Sequence, residues 1–333
     1  MLKAPKITVL TAVHNGAPYL SETISNIQCQ DFDDWEYVIV DDASTDRTWN
    51  IIDRAMRLDG RVRLLQCRER IGTYAAANEG IRVSRGKYIF RIDADDLSPA
   101  HRFRRQLEFM EQNPQCRASV SHWRPFNEQG FIGDSVVTLP KRPQVFKWYL
   151  VLRSQSIHSS TCIEREALLE LGAYRALPLA QDYRLWCELT RRGWLGIIPE
   201  VLSYVRLHDQ RQTNKRAGLQ RELAMDVLSD HLLALTGEQW TRADLDVLWA
   251  VGYSHAMPIA KGLAMLDRWD RLWQADAQLD RDERGELAGL SRLRRWKLLR
   301  ANALSQPIRV LIDGLKLKIE DLRYSSHAKK ASV

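Results

Sequence analysis

Apolar runs and amphipathic stretches alternate along the first hundred residues of the chain. Four short runs, rich in β-branched and apolar side chains, predict buried strands; they cover residues 7–13, 36–40 and 62–65 and the run that ends at Asp93. Between them, apolar positions recur with helical spacing, for example from Tyr19 to Ile27. Alternating strands and helices predict an α/β fold, in which helices cover both faces of a mostly parallel sheet.

The pattern changes after a polar, basic stretch near Gln210 to Gly218. Beyond it the spacing is helical, as at Leu219, Leu223 and Val227. We therefore expect one α/β domain over residues 1–212, followed by a helical, basic C-terminal extension over residues 213–333. No run approaches the ~20 consecutive apolar residues that a membrane-spanning helix needs.

Acidic residues follow two of the predicted strands. Asp93, Asp95 and Asp96 come directly after one apolar run, and Asp41 and Asp42 after another. The carboxyl ends of parallel strands form the ligand crevice of open α/β sheets. Carboxylates this close repel one another, whereas Mg²⁺ is typically held by one or two carboxylates together with substrate phosphates. An isolated Asp-x-Asp also occurs in solvated turns, but two acidic strand ends at one edge favour a site for a metal and a diphosphate.

The positive charge of the chain is concentrated near its C-terminus. The formal net charge is +7, and the part from Arg284 to Lys330 alone carries a surplus of +8, which leaves the preceding part near −1. Such a segment is attracted to anionic lipid, nucleic acid or an acidic partner. Because no zinc-finger spacing or RNA-binding signature accompanies it, we expect no nucleic acid partner.

Cysteine usage and the N-terminus indicate the compartment. The 5 cysteines are odd in number, and none forms a Cys-x-x-Cys pair. This favours reduced thiols in a cytoplasmic protein over disulfides or a zinc site. Lys3 and Lys6 are followed directly by a predicted strand, so we expect no secretory leader.

Further motifs lie in order along the same domain. They are His14-Asn15, Val40-Asp41-Asp42-Ala43-Ser44-Thr45-Asp46, Ala77-Asn78-Glu79-Gly80, Ile92-Asp93-Ala94-Asp95-Asp96, Ala180-Gln181-Asp182-Tyr183-Arg184-Leu185-Trp186 and Tyr204-Val205-Arg206-Leu207-His208. Their order and spacing resemble the family 2 glycosyltransferases of the GT-A fold, over roughly residues 5–212. Gln181 departs from the family pattern, in which a glutamate is common at this position.

The resemblance implies a metal-dependent, inverting glycosyltransferase of the bacterial surface-polysaccharide type. It would move a sugar from a nucleotide diphosphate sugar to a hydroxyl of a glycan or lipid-linked acceptor. A UDP-linked donor is the first expectation, with dTDP- and GDP-linked donors left open. Residues of about 1–100 would bind the nucleotide sugar, and residues of about 101–212 would bind the acceptor.

The same resemblance assigns roles to individual residues. Asp182 would be the catalytic base for the acceptor hydroxyl, and direct displacement with a single base inverts the anomeric centre. Mg²⁺ or Mn²⁺ would be bound by Asp93, Asp95 and His208. The nucleotide sugar would contact Ala12, His14, Asn15, Asp41, Asp42, Arg70, Asp93 and Ala94. In the acceptor half, His158 and Ser159 would line the acceptor pocket.

The basic C-terminal region contains an apolar stripe at Leu290, Leu293, Trp296 and Leu299. A second amphipathic segment is predicted after Pro307. Basic helices with an apolar face lie in the headgroup region of anionic membranes. We therefore expect peripheral binding to the inner face of the cell membrane, with packing onto the catalytic domain or a second subunit as the alternative.

Three other functions share parts of this pattern. A dinucleotide oxidoreductase would carry Gly-x-Gly-x-x-Gly after the first strand, where His14 to Pro18 stand instead. A sugar nucleotidyltransferase would normally carry a glycine-rich, basic loop at the same place. A non-catalytic scaffold in a polysaccharide assembly complex stays open because of Gln181. The retained acids argue against it: Asp41, Asp93, Asp95 and Asp182.

Overall fold

A computed structural model describes residues 4–175, 179–208, 217–255 and 257–303. The strands are β1 (Ile7–Val13), β2 (Trp35–Asp41), β3 (Val62–Gln66), β4 (Tyr88–Arg91), β5 (Ala118–Asn127), β6 (Gly130–Phe131), β7 (Cys162–Glu164) and β8 (Leu195–Arg206). The helices are α1 (Leu20–Gln28), α2 (Thr48–Leu58), α3 (Thr73–Val83), α4 (Arg102–Gln112), α5 (Pro143–Tyr149), α6 (Arg165–Glu170), α7 (Gln181–Arg191), α8 (Ala217–Thr236), α9 (Arg242–Tyr253), α10 (Ile259–Ala275) and α11 (Arg281–Ala303).

The eight strands of the described residues form one sheet. Their order is β3-β2-β1-β4-β7-β5-β6, and β8 pairs with β5. β1 is parallel to both β2 and β4, and β2 is parallel to β3, which confirms the parallel arrangement predicted for the first half. β7 is antiparallel to β4 and β5, whereas β8 is parallel to β5. The second half therefore continues the same sheet with mixed strand directions.

Alternating side chains along the central strands supply two apolar cores, one on each face of the sheet. On β1, Ile7 and Val9 belong to the core under α1, α2 and α4, whereas Leu10 belongs to the core that includes α3. α1 buries Leu20 and Ile24, which are one turn apart on the same helical face. The predicted α/β architecture with helices on both faces is thus confirmed.

The C-terminal helices pack on the second half of the domain. One continuous apolar core includes side chains of both regions: Phe146, Trp186, Leu228, Leu248 and Trp269. The approach is closest at Gly252 of α9, where an added Cβ would lie 1.6 Å from the carbonyl oxygen of Leu152. Residues 209–216, where the sequence predicts the boundary between the regions, lie outside the described residues.

α11 lies against α10, α5 and α9. Its inward face carries Leu287, Arg294 and Leu298, which are all nearly fully buried. The predicted apolar stripe lies beside this face, and Trp296 within it is 38% exposed. The packing of α11 on the rest of the protein is the alternative that the sequence left open, while the segment after Pro307 lies outside the described residues. Among the helices described, none combines the length and the apolar character needed to cross a membrane.

Candidate active site

Neighbouring parallel strands deliver acidic side chains to one edge of the sheet. Val13 of β1 is in register with Asp41 of β2, and Leu10 of β1 is in register with Arg91 of β4. Because the strands run in the same direction, Asp41 and the residues from Asp93 onward emerge at the same edge. The predicted convergence of two acidic strand ends is therefore present in the structure.

A hydrogen-bonded turn follows β1 at this edge. His14 Nδ1 lies 2.8 Å from the carbonyl oxygen of Asp42. The backbone N–H of Asn15 donates to Ser44 Oγ at 2.9 Å, and the Asn15 side-chain oxygen accepts from the backbone N–H of Thr45 at 2.8 Å. Asn15 has a φ of 57°, in the left-handed region that asparagine tolerates better than most residues. These contacts fix the turn after β1 against the turn after β2.

The two acids after β2 have different environments. Both carboxylate oxygens of Asp42 accept backbone hydrogen bonds, from Ile71 at 2.7 Å and from Gly72 at 2.9 Å. Asp41 Oδ1 accepts from the backbone N–H of Ser44 at 3.0 Å. Asp41 Oδ2 is buried and has no hydrogen-bond partner within the described chain, which is a costly state for a carboxylate oxygen. Asp41 therefore retains the capacity to bind a ligand N–H, while Asp42 holds the 70–72 turn.

The remaining residues predicted to contact the nucleotide lie around this turn and the acidic loop. Arg70 is exposed in the turn that Asp42 holds. Ala12 lies near the end of β1 and is 9% exposed, and the carbonyl oxygen of Ala94 accepts from Thr23 Oγ1 at 3.0 Å. The contacts within the protein do not assign these three residues to a ligand, so their roles stay predictions.

Two of the three predicted metal ligands, Asp95 and His208, are in contact, and Asp93 lies in the same acidic loop as Asp95. Asp95 Oδ2 is 2.8 Å from His208 Nε2, and His208 Nδ1 is buried without a described partner. Asp93 accepts from the Arg91 guanidinium at 3.3 Å, and its side chain is 46% exposed. Within the described residues, no three ligating side chains are already gathered as a complete metal site. Since a hard divalent cation normally takes only one or two carboxylates and draws other ligands from substrate phosphates and water, this donor set fits such a cation.

Arg206 and Asp96 hold His208 beside the acidic loop. The backbone N–H of Arg206 donates to Asp96 Oδ1 at 3.0 Å, and Arg206 Nε donates to the carbonyl oxygen of Asp95 at 3.0 Å. Burial, followed by the charges of Asp95 and Asp93, raises the pKa of Asp96 well above its usual value. Through these hydrogen bonds, Asp96 joins the end of β8 to the loop after β4.

Asp182 lies in the first turn of α7, beside an aromatic pocket. Its Oδ1 accepts from the backbone N–H of Tyr183 at 2.8 Å. The neighbouring His158 ring packs against Tyr74 and Tyr174, with centroids 5.9 Å and 5.3 Å apart. Burial lowers the pKa of His158, although the Asp182 carboxylate acts in the opposite direction. A neutral imidazole thus lies near Asp182, and its Nε2 has no hydrogen-bond partner among the described residues.

Ser159 has a different position from the one that the sequence predicts. It is fully buried, and its Oγ accepts from the backbone N–H of Asp93 at 3.0 Å. Its carbonyl oxygen accepts from Ser203 Oγ of β8. Ser159 therefore supports the acidic loop from inside the protein, and the expectation that it lines the acceptor pocket with His158 is wrong.

Two residues that sequence reasoning left without a role contribute to this site. Arg91 is 1% exposed, pairs with Asp93, and its positive charge acts on His158. Asn78 forms two hydrogen bonds with the backbone of Tyr174, at 2.6 Å to its carbonyl oxygen and 3.0 Å from its N–H. The feature of the sequence that could have drawn attention to Arg91 is a positively charged residue within an otherwise apolar strand. The Asn-x-Gly motif marks Asn78, but its partner lies 96 residues away in the sequence.

Comparisons with known sequences match part of the chain to a family. Residues 8–168 match the family model described as Glycosyl transferase family 2. A glycosyltransferase from Haemophilus influenzae is 27% identical over 241 residues, which cover 70% of this chain and 75% of that protein. TuaG from Bacillus subtilis, provisionally described as a teichuronic acid biosynthesis glycosyltransferase, is 26% identical over 205 residues, covering 61% and 79%.

Solved structures show the same fold. Residues 1–349 of Staphylococcus aureus TarS, in complex with UDP-GlcNAc, superpose with a TM-score of 0.58 at 16% identity, covering 89% of each chain. The mannosyltransferase PcManGT from Pyrobaculum calidifontis, in complex with GDP-Man and Mn²⁺, gives 0.54 at 20% identity, covering 94% of this chain and 88% of that one. Residues 8–168 therefore match a glycosyltransferase family 2 domain, and the chain has the GT-A fold and is a glycosyltransferase.

Proposed function

We propose that this glycosyltransferase moves a sugar, with inversion, from a UDP-linked donor to a hydroxyl of a glycan or lipid-linked acceptor. The observation that supports this most directly is that Asp182, at the start of α7, and Asp93, at the acidic sheet edge, both act electrostatically on the buried His158. The proposed base and the proposed metal site thus act on the same buried side chain. The nucleotide sugars bound by the two solved neighbours support a donor of this class.

The turns after β1 and β2 would bind the nucleotide. Asp41 Oδ2, which has no described partner, would accept a hydrogen bond from the imide N–H of a uracil ring. The fixed turn of His14 and Asn15 would contact the nucleoside, and the exposed Arg70 would approach the diphosphate. Asp42 would act indirectly, because both its oxygens hold the turn that carries Arg70.

Asp182 would accept the proton of the acceptor hydroxyl as that oxygen attacks the anomeric carbon. An alcohol is a weak nucleophile, and a positioned base contributes about 10²–10⁴-fold to such a step. The His158 Nε2 would bind a hydroxyl of the substrate and hold it next to Asp182. Direct displacement by a single attack inverts the anomeric configuration.

Asp93, Asp95 and His208 would hold Mg²⁺ or Mn²⁺. A divalent cation bound by these residues would supply Lewis-acid stabilisation for the negative charge of the departing diphosphate. Arg91 would orient Asp93, since its buried guanidinium donates to that carboxylate. Asp96 and Arg206 would keep His208 at the acidic loop.

We also propose that the enzyme acts in surface-polysaccharide synthesis on the cytoplasmic face of the membrane. The description of TuaG supports a polysaccharide pathway. The exposed Trp296, flanked by the exposed Arg292 and Arg300 on α11, would contact an anionic leaflet. This contact would bring Asp182 to a lipid-linked acceptor.

Slow donor hydrolysis tests the reaction without knowledge of the acceptor. UDP-glucose, UDP-GlcNAc and GDP-mannose are incubated with the full chain and Mn²⁺, and released nucleoside diphosphate is measured. We expect release from a UDP-sugar with Mn²⁺ but not with EDTA, and NMR should first show the β-anomer from an α-linked donor. Initial release of the α-anomer would contradict inversion, and equal release in EDTA would contradict metal dependence.

A further inference from the structure

A second group of polar side chains lies where the C-terminal helices meet the catalytic domain. Here a small cleft is lined by Arg153 and Ser154, by Tyr183 of α7, and by Trp249 and Tyr253 of α9. Tyr183 directly follows the proposed base. Burial raises the pKa of Tyr253, and the charge of Asp182 acts in the same direction. The cleft is therefore within electrostatic reach of the catalytic carboxylate.

One wall of the cleft is aromatic. The rings of Trp249 and Tyr253 are stacked, with centroids 4.3 Å apart and planes inclined by 25°. The Arg153 guanidinium lies over the face of Tyr253, 5.3 Å from its centroid. Both aromatic residues are partly exposed. A partly exposed pair of aromatic rings offers an apolar face on which a sugar ring can pack from outside the cleft.

Arg153 of the cleft and Arg294 of α11 both act electrostatically on Lys297 of α11, and we call these three residues the cation group. Arg294 is 2% exposed and donates to the Gly252 carbonyl oxygen and to Tyr149 Oη, both at 2.8 Å. Arg153 Nε is buried without a hydrogen-bond partner in the described chain. Burial, and then the charges of Arg294 and Arg153, lowers the pKa of Lys297.

The cation group forms no ion pair within the described residues. Within the described residues, 29 ion pairs satisfy a 4.0 Å limit, and none of them includes a member of the group. Arg295 of the same helix, by contrast, pairs with Asp267 at 2.8 Å and with Asp270 at 2.6 Å. Partly buried charges without a counter-charge are costly. An anion bound between Arg153 and Lys297 would offset that cost.

We propose that this cleft binds an anionic substituent of the acceptor saccharide, a phosphate or a carboxylate, and thereby selects anionic acceptors. Arg153 and Lys297 contact the oxyanion, Arg294 anchors α11 beneath them, and the Trp249–Tyr253 wall packs against the sugar ring. This rests on the proposed function, because the position of Asp182 as base makes the cleft an acceptor site. The C-terminal helices then contribute directly to acceptor specificity.

Thermal unfolding of the full chain, with UDP in excess and EDTA present, tests the site with simple anions. Inorganic phosphate and sodium acetate are compared with sodium chloride at equal ionic strength. We expect phosphate or acetate to raise the Tm of the parent above its value in chloride, because a ligand that binds only the folded state stabilises it. A response to phosphate alone identifies a phosphate site, and a response to acetate alone identifies a carboxylate site.

Three variants complete the test. Arg153→Gln and Lys297→Gln should each weaken anion binding by about tenfold or more, as expected for loss of a charge-assisted hydrogen bond. Arg281→Gln, which removes an equal charge from the exposed start of α11, should respond like the parent. The Tm in chloride shows whether each variant is folded.

The proposal fails if neither anion stabilises the parent more than chloride does. It fails equally if Arg153→Gln and Lys297→Gln both retain the parental response. Donor hydrolysis by the parent is measured separately. If the parent hydrolyses the donor but neither anion raises its Tm, only the proposed acceptor site is overturned. If an anion raises the Tm but the donor is not hydrolysed, the anion site stands and the proposed transfer reaction is overturned.

Discussion

Replacing Asp182 with asparagine separates chemistry from folding at this site. Asparagine retains a side-chain oxygen that can accept the Tyr183 N–H bond, now 2.8 Å long, so the start of α7 keeps its hydrogen bond. The substitution removes the carboxylate that accepts a proton. Since a general base contributes about 10²–10⁴-fold, kcat should fall by that factor, which corresponds to about 3–5 kcal/mol of lost transition-state stabilisation.

The assay follows UDP release at saturating donor, together with donor affinity and Tm. Asp226→Asn is the matched control, because Asp226 is an exposed acid on α8 and its loss should change none of these quantities. Asp182→Asn should retain donor affinity and Tm. Equal losses of donor affinity and rate, or a lower Tm, would refute the role of base, because an interaction made only in the transition state does not alter ground-state binding.

Three further predictions follow from the structure. Asp95→Asn should abolish transfer and weaken donor binding only when Mn²⁺ is present, because the amide cannot neutralise a cation; calorimetric titration of UDP with and without Mn²⁺ measures this. Lowering the pH from 7.5 to 5 should destabilise the fold by about 2 kcal/mol through His231. Burial lowers the pKa of His231 from 6.5 to about 4, so only the unfolded chain takes up this proton, and urea unfolding of the parent and of His231→Gln should show the difference. In liposome flotation, the parent should bind anionic but not neutral vesicles, less strongly at high salt, and Trp296→Ser should bind less because it removes the exposed aromatic side chain of α11.

Each of these experiments has an outcome that contradicts its reasoning. An Asp95→Asn protein that binds UDP with the parental Mn²⁺ dependence would exclude Asp95 as a ligand. Identical pH dependence of stability in the parent and His231→Gln would show that His231 does not titrate in this range. Undiminished flotation of Trp296→Ser, or flotation with neutral vesicles, would rule out the proposed contact of α11 with anionic lipid.

The first half of the fold could be predicted because its signals are local. The apolar run from Ile7 to Val13 is bounded by polar residues, and the structure forms β1 over the same residues. In a parallel sheet, the residues that follow each strand emerge at the same edge. The acidic edge of this sheet could therefore also be predicted from the sequence. The motifs then placed Asp95 and His208 in one site, although 113 residues separate them.

The parts of the site that escaped prediction depend on tertiary contacts. Nothing in the sequence near Asn78 shows that it pairs with the backbone of Tyr174. The apolar positions of α11 suggested a stripe that includes Trp296, yet the inward face of this helix contains Arg294. A buried arginine is tolerated there because the Gly252 carbonyl and Tyr149 hydroxyl accept its hydrogen bonds. Helical spacing alone cannot reveal such polar partners on other helices.

A chimera could join these C-terminal helices to a different catalytic domain only if the two packing surfaces were complementary. A flexible linker between the two parts would not be enough. At residue 252 a side chain of any size would collide with the Leu152 carbonyl, so α9 could dock only after moving away from the loop. Since the same glycine accepts a hydrogen bond from Arg294, that movement would also displace α11. In a recombined protein, the 150–154 loop, α9 and α11 should therefore all come from the same parent.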